Sequence, residues 1–196
     1  MRSVWFVLLA ALAAWAANPP RPNPKAAGSP TAPIKIEVFS DFQCPACKNL
    51  HDLTLTPLMK DYVATGKVYL IHREFPLPTH PYSRLAAAYA SAAARIGKYQ
   101  EVSDRLFLFQ SSWSASGNVD EAACGALSPA EAKTVRALVK DPSIAAEIDR
   151  DLEIGRKLAL HQTPTMLVQH GANVYPWPGA VSYELLRSYL DSQLGR

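Results

Sequence analysis

Cysteine is scarce in this chain, three residues in 196, and its basic residues form no cluster. A structural zinc site needs four ligands and usually two cysteine pairs. Cys44 and Cys47 make one pair and only Cys124 remains, which leaves such a site without its second pair. Lys and Arg (20) nearly balance Asp and Glu (17), for a formal charge of +3, too small and scattered to favour nucleic acid or an anionic membrane surface. Internal repeats are missing. Long apolar runs are lacking as well: Val4 to Ala13 is apolar but too short to cross a bilayer.

That short run has its own reading. Met1-Arg2-Ser3 is a short positive start, and Ala14-Trp15-Ala16 supplies small residues at cleavage positions, the pattern of a secretory signal peptide over residues 1–17. The alternative is an uncleaved anchor. Either one places the rest of the chain outside the cytoplasm, where disulfides persist. Residues 18–33, rich in proline with Ala, Gly and Ser, are expected to form an extended, solvated linker. In a chain with 48% hydrophobic residues overall, the remainder, 34–196, has apolar content enough to bury one core of ordinary domain size.

The stretch that organises this remainder is Phe39-Ser40-Asp41-Phe42-Gln43-Cys44-Pro45-Ala46-Cys47-Lys48. An apolar run ends and a Cys-x-x-Cys pair opens a helix. Cys44 is expected at the cap and Pro45 in the first turn, where a missing N–H costs nothing. The Cys44 sulfur then faces free backbone N–H groups and the positive helix end, which favour its thiolate. Cys47, one turn on, is close enough to close a disulfide with it, so the pair reads as a dithiol/disulfide exchange centre. A rival reading adds His51, at helical spacing from both cysteines, to make a three-ligand Cu(I) site; a packing or surface histidine is the plainer role.

Around that centre, Ile34 to Phe39 reads as a buried strand. A helical pattern follows through Leu50, Leu53, Leu58 and Tyr62, with a kink or break expected at Pro57. Lys67 to Phe75 is a second strand. From about residue 80 to 160 the pattern is helical, four or five helices, with Ser128-Pro129-Ala130-Glu131 a capping box. Thr165 to Gln169 and Asn173 to Trp177 return to strand, the latter at an edge because Pro176 cannot donate. Ser182 caps a last helix.

This order and these motifs resemble the DsbA-like branch of the thioredoxin superfamily. The cysteine stretch is close to its active-site signature, Arg73-Glu74-Phe75-Pro76-Leu77 with His80-Pro81 resembles the segment after its second strand, and Thr163-Pro164-Thr165 resembles its cis-proline loop. Gly179-Ala180 with Tyr183-Glu184 and Leu186 resembles the entry to its last helix. The resemblance implies an α/β, thioredoxin-like fold with an inserted helical domain, catalytic Cys44 and Cys47, and supporting Pro45, Ala46, Thr163 and Pro164, with Thr163-Pro164 cis. It implies a periplasmic or secreted thiol:disulfide oxidoreductase, most readily a disulfide donor, with a reductase or isomerase as the alternative. No cofactor and no metal are called for. Its partners are then exported proteins with free thiols and a membrane quinone-linked thiol oxidase, and the chain a monomer.

The pattern departs from the family twice. Relatives often carry a buried acid six residues before the first cysteine, where this chain has Val38; Glu37 falls on the opposite strand face and is a poor proton relay. Strongly oxidising relatives carry histidine between the cysteines, where Ala46 adds no donor or charge, so a milder oxidant is expected. Cys124 is read as a buried thiol, and His72 and His161 as polar residues at strand or loop ends.

Overall fold

The computed structural model describes residues 23–195. The signal-peptide reading of 1–17 and the first residues of the expected linker lie outside the described residues. Five strands, β1 (Ala26–Ala27), β2 (Ile34–Ser40), β3 (Val68–Glu74), β4 (Thr165–His170) and β5 (Asn173–Pro178), form one mixed sheet in the order β1-β3-β2-β4-β5. At its centre β2 (Ile34–Ser40) runs parallel to β3 (Val68–Glu74), with Ser40 opposite Glu74, and antiparallel to β4 (Thr165–His170). Of the kink or break expected at Pro57, the break does not occur. From α1 (Pro45–Leu50) the helix runs on through a wider π-helical stretch (His51–Leu55), three α-helical residues (Thr56–Leu58, α2) and a second π stretch (Met59–Val63). Thr56 N–H donates five residues back to His51 O, a π-type bond that opens the helix just before the proline instead of ending it.

One face of the sheet presents Ile34, Ile36, Val38, Val68, Leu70, Met166 and Val168 to Leu50, Leu58, Leu186 and Leu190, all buried. The last two lie on α9 (Tyr183–Gln193), an 11-residue helix capped by Ser182. Alone such a helix is marginal in water, and burial at about 1.5–3 kcal/mol per aliphatic side chain holds it in place.

Between β3 and β4 the chain builds six helices, α3 (Ser83–Ala94), α4 (Tyr99–Leu108), α5 (Gln110–Ser116), α6 (Val119–Cys124), α7 (Pro129–Leu138) and α8 (Pro142–Lys157). That exceeds the expected four or five, because the stripe through Phe109 ends at Leu108 and restarts at Gln110. Alanines on α3 let these helices approach closely around Trp113, Val135, Ile144 and Ile148, and Phe42, Cys44 and Cys47 belong to the same buried cluster. The cysteines therefore sit at the seam between sheet and helical block.

The linker expectation fails over its second half. Ala26–Ala27 (β1) pairs antiparallel with Leu70 and Ile71 and covers the β3 edge. Lys25 is buried, its ammonium paired with Asp151 and Glu147 of α8. At Gly28 (φ +87°) a Cβ would stand 2.5 Å from Val68 O, so only glycine lets the chain leave the sheet there. At the other edge lies β5 (Asn173–Pro178), as its prolines require.

Candidate active site

β2 delivers the chain into a tight turn. Asp41 Oδ1 accepts from Gln43 N–H at 2.7 Å, an Asx turn, and Cys44 N–H donates to Asp41 O at 3.1 Å. Cys44 is extended (φ −74°, ψ 122°) at the cap of α1, with Pro45 in the first turn. Its carbonyl already accepts from Cys47 and Lys48 N–H, at 3.1 and 3.2 Å, which leaves the sulfur at the helix entry.

The two sulfurs are differentiated. The Cys44 thiol is drawn down to about 5, first by the Cys47 side chain as a hydrogen-bond donor, against the cost of burial, then by the main-chain N–H groups of Cys47 and Ala46. Burial pushes the Cys47 thiol well up, and the neighbouring Cys44 adds to this; Cys47 is 1% exposed. Asp41 N–H donates to Cys47 Sγ at 3.4 Å. Opposite, Thr163-Pro164 is cis, and Thr163 O lies 3.4 Å from Cys44 Sγ as its acceptor in the thiol form. The buried Thr163 hydroxyl has no hydrogen-bond partner among the described residues.

The fold thus brings Cys44, Cys47, Pro45, Ala46, Thr163 and Pro164 to one place, with Pro45 exposed and Ala46 half-buried at the rim. Other candidates fall elsewhere. Both His51 nitrogens are engaged, Nδ1 with Asp52 at 2.9 Å and Nε2 with Asp104 at 2.8 Å, and its ring packs on Phe107. It cannot complete the three-ligand copper site with the sulfurs. Among the described residues no group of three His, Cys, Asp or Glu side chains is placed to hold a metal ion. Glu37 is bound by Arg73 Nε at 2.8 Å and by Lys35 at 3.0 Å, which hold its carboxyl low despite partial burial; it is an ion pair, not a relay. His72 is buried against Tyr99, and burial drops its pKa to about 3. His161 is exposed. Cys124 is buried in the helical block, 3.6 Å from Asp120, and pushed up to about 11 by burial first and that carboxylate second.

Sequence reasoning missed two groups at the site and one buried acid on the neighbouring strand. Gln110 Nε2 donates to Phe42 O (2.7 Å) and Cys44 O (3.0 Å). The Asp41 carboxylate gathers donors from loop and helix. Glu74, opposite Ser40 in the sheet, is buried, accepts from Tyr99 Oη at 3.0 Å, and is pushed up to about 8 by burial against the opposing pull of Lys25. Only Asp41 carried a local signal, its two-residue spacing to Gln43.

The sequence signature of the thioredoxin family matches residues 21–192. The chain belongs to the thioredoxin family. It is 34% identical over 84 residues to the Na(+)/H(+) antiporter NhaA 3 of Salinispora tropica, a match covering 42% of this chain and 12% of that protein. To the probable disulfide bond formation protein D of Bacillus cereus it is 44% identical over 50 residues, 25% of this chain and 23% of that one. The chain therefore spans less than a quarter of the length of either relative. In three dimensions it resembles Wolbachia pipientis alpha-DsbA1 at a TM-score of 0.74 and 20% identity, over 90% of this chain and 93% of the other. The fold is DsbA-like, a thioredoxin sheet with a helical insertion.

Proposed function

We propose that this chain is a thiol:disulfide oxidoreductase that exchanges a Cys44–Cys47 disulfide with thiols of exported proteins, as a disulfide donor. The observation that carries this reading is the geometry of the pair: Cys44 at the entry of α1, where its thiolate is favoured, beside a Cys47 that is buried and so kept a thiol. A substrate thiolate attacks Cys44 Sγ, the Cys44–Cys47 bond breaks and Cys47 departs with the electron pair. A second substrate thiolate then attacks the substrate sulfur of the mixed disulfide, releasing oxidised substrate and a reduced pair. A stable Cys44 thiolate favours the reduced enzyme and so makes its disulfide the stronger oxidant. Thr163, its carbonyl at the sulfur, lies where an extended substrate chain would meet the site.

The N-terminal pattern of residues 1–17 supports a periplasmic or secreted location. Recharging would then fall to a membrane quinone-linked thiol oxidase, with the chain acting as a monomer. A redox titration in glutathione buffers, read by mass spectrometry after alkylation, tests the reading. The expected result is a two-electron transition confined to Cys44 and Cys47, with Cys124 a thiol throughout. A pair that never forms a disulfide across the buffer range would overturn it.

A further inference from the structure

Asp41 holds a carboxylate that none of the steps above uses. Its side chain is 0% exposed, yet it accepts hydrogen bonds from Gln43 N–H (2.7 Å), Leu77 N–H (2.7 Å), His80 Nδ1 (2.8 Å) and the Ser83 hydroxyl. The donors come from three segments: the cysteine turn, the loop after β3 and the first turn of α3. A carboxylate offers about four lone-pair sites, so this one is saturated. It has no acceptor left for a proton from Cys47, and what remains to it is geometry. Its own N–H points to Cys47 Sγ at 3.4 Å.

We propose that Asp41 is a positioning residue for disulfide exchange: its buried carboxylate locks the turn so that its main-chain N–H receives the charge on Cys47 when the Cys44–Cys47 bond opens. This rests on the redox reading above. When a thiolate attacks Cys44 Sγ, one S–S bond forms, the Cys44–Cys47 bond breaks, and the electron pair leaves on Cys47, which later takes a proton from water. At that moment Cys47, 1% exposed, is shielded from solvent, and a donor oriented in advance stabilises the developing charge without reorganisation. Better-stabilised thiolates leave faster. The half-buried Ser40 hydroxyl also favours that charge, but the N–H is fixed by a lock of four donors.

The test is the rate at which reduced glutathione opens the oxidised protein, measured by quenched mass spectrometry on samples shown to be folded by circular dichroism. Asp41→Asn keeps the shape but has one acceptor oxygen and sets an NH2 group against two donors. It is expected to slow opening about tenfold, the scale of a lost hydrogen bond to a charge. His80→Ala removes one donor of four and should slow opening by about threefold, a fraction of the full lock. His80→Asn, whose amide replaces Nδ1, should restore the rate. A purely structural Asp41 would lower the urea midpoint and leave the rate unchanged, and that result, in Asp41→Asn and His80→Ala alike, overturns the inference alone. If Asp41→Asn does not fold, the His80 pair decides by the same criterion. A disulfide in the unsubstituted protein that glutathione cannot open overturns the redox reading together with the inference.

Discussion

The side-chain amide of Gln110 reaches the carbonyl oxygen of Cys44 at 3.0 Å and that of Phe42 at 2.7 Å, so the helical block holds the cysteine turn directly. Gln110→Leu leaves two buried carbonyls without that donor. The expected loss is about 2 kcal/mol, since the Phe42 carbonyl is orphaned, at about 1–3 kcal/mol for a buried group, while the Cys44 carbonyl keeps the N–H groups of Cys47 and Lys48. Urea unfolding monitored by tryptophan fluorescence checks it; an unchanged midpoint would show that the clamp carries no stability.

Cys44 is expected to be alkylated by iodoacetamide at pH 6 far faster than Cys47 or Cys124, because only its thiol is drawn down, to about 5. The sign of the linked stability follows. Its folded value lies below the unfolded value of about 8.5, so the thiolate stabilises the reduced fold fully above about 8.5, and this stabilisation is lost as pH falls through about 5. Urea midpoints of reduced protein relative to oxidised protein should therefore rise from pH 4 to pH 9. Equal alkylation rates at Cys44 and Cys47, or a flat difference between the midpoints, contradicts the assignment.

Burial raises the Glu74 carboxyl to about 8, above an unfolded value of about 4.3. The folded state holds the extra proton between those values, so this carboxyl costs stability as pH rises through that window. Glu74→Gln keeps the shape and removes the titration. The variant should gain stability over the parent at pH 9 and differ little at pH 4. A difference between variant and parent that is the same at both pH values would contradict the raised carboxyl.

His51 bridges Asp52 and Asp104 between the cysteine helix and α4, and these carboxylates raise its pKa against the opposing effect of burial. The stabilisation is fully present below about 6.5 and fades as pH rises through the raised folded value. With Asp104 largely exposed, the ion pairing is worth less than about 1 kcal/mol. His51→Ala should keep glutathione exchange within about threefold while lowering the urea midpoint more at pH 5.5 than at pH 8.5. A protein that loses exchange altogether would return His51 to the site.

The reach of sequence reading follows the range of the contacts involved. The cap geometry of Cys44 depends on neighbours within four residues, and it reads from Cys44-Pro45-Ala46-Cys47 alone. Thr163-Pro164 is tied to the cysteines by resemblance alone, since nothing local links it to a sulfur 119 positions away. Lys25 could not be read: a lysine in a proline-rich stretch looks solvated until Asp151, 126 residues on, is brought against it. For the same reason the partners of His51, read as a packing or surface residue, are not legible. Its helical spacing to Cys44 and Cys47 is visible in sequence, and its contact with Asp104 on α4 is not.

The prolines of β5 matter beyond their strand. Gly179 N–H donates inward to Pro164 O, so residues 177, 175 and 173 share that inward parity, and the outward amides belong to Val174, Pro176 and Pro178. Two of those three positions carry no N–H at all. A long row of outward donors would recruit any extended polypeptide that drifted past, at a place with no sulfur to act on it. For a protein proposed to work among unfolded chains, a rim that refuses new strands keeps its clients from being held where no exchange can occur.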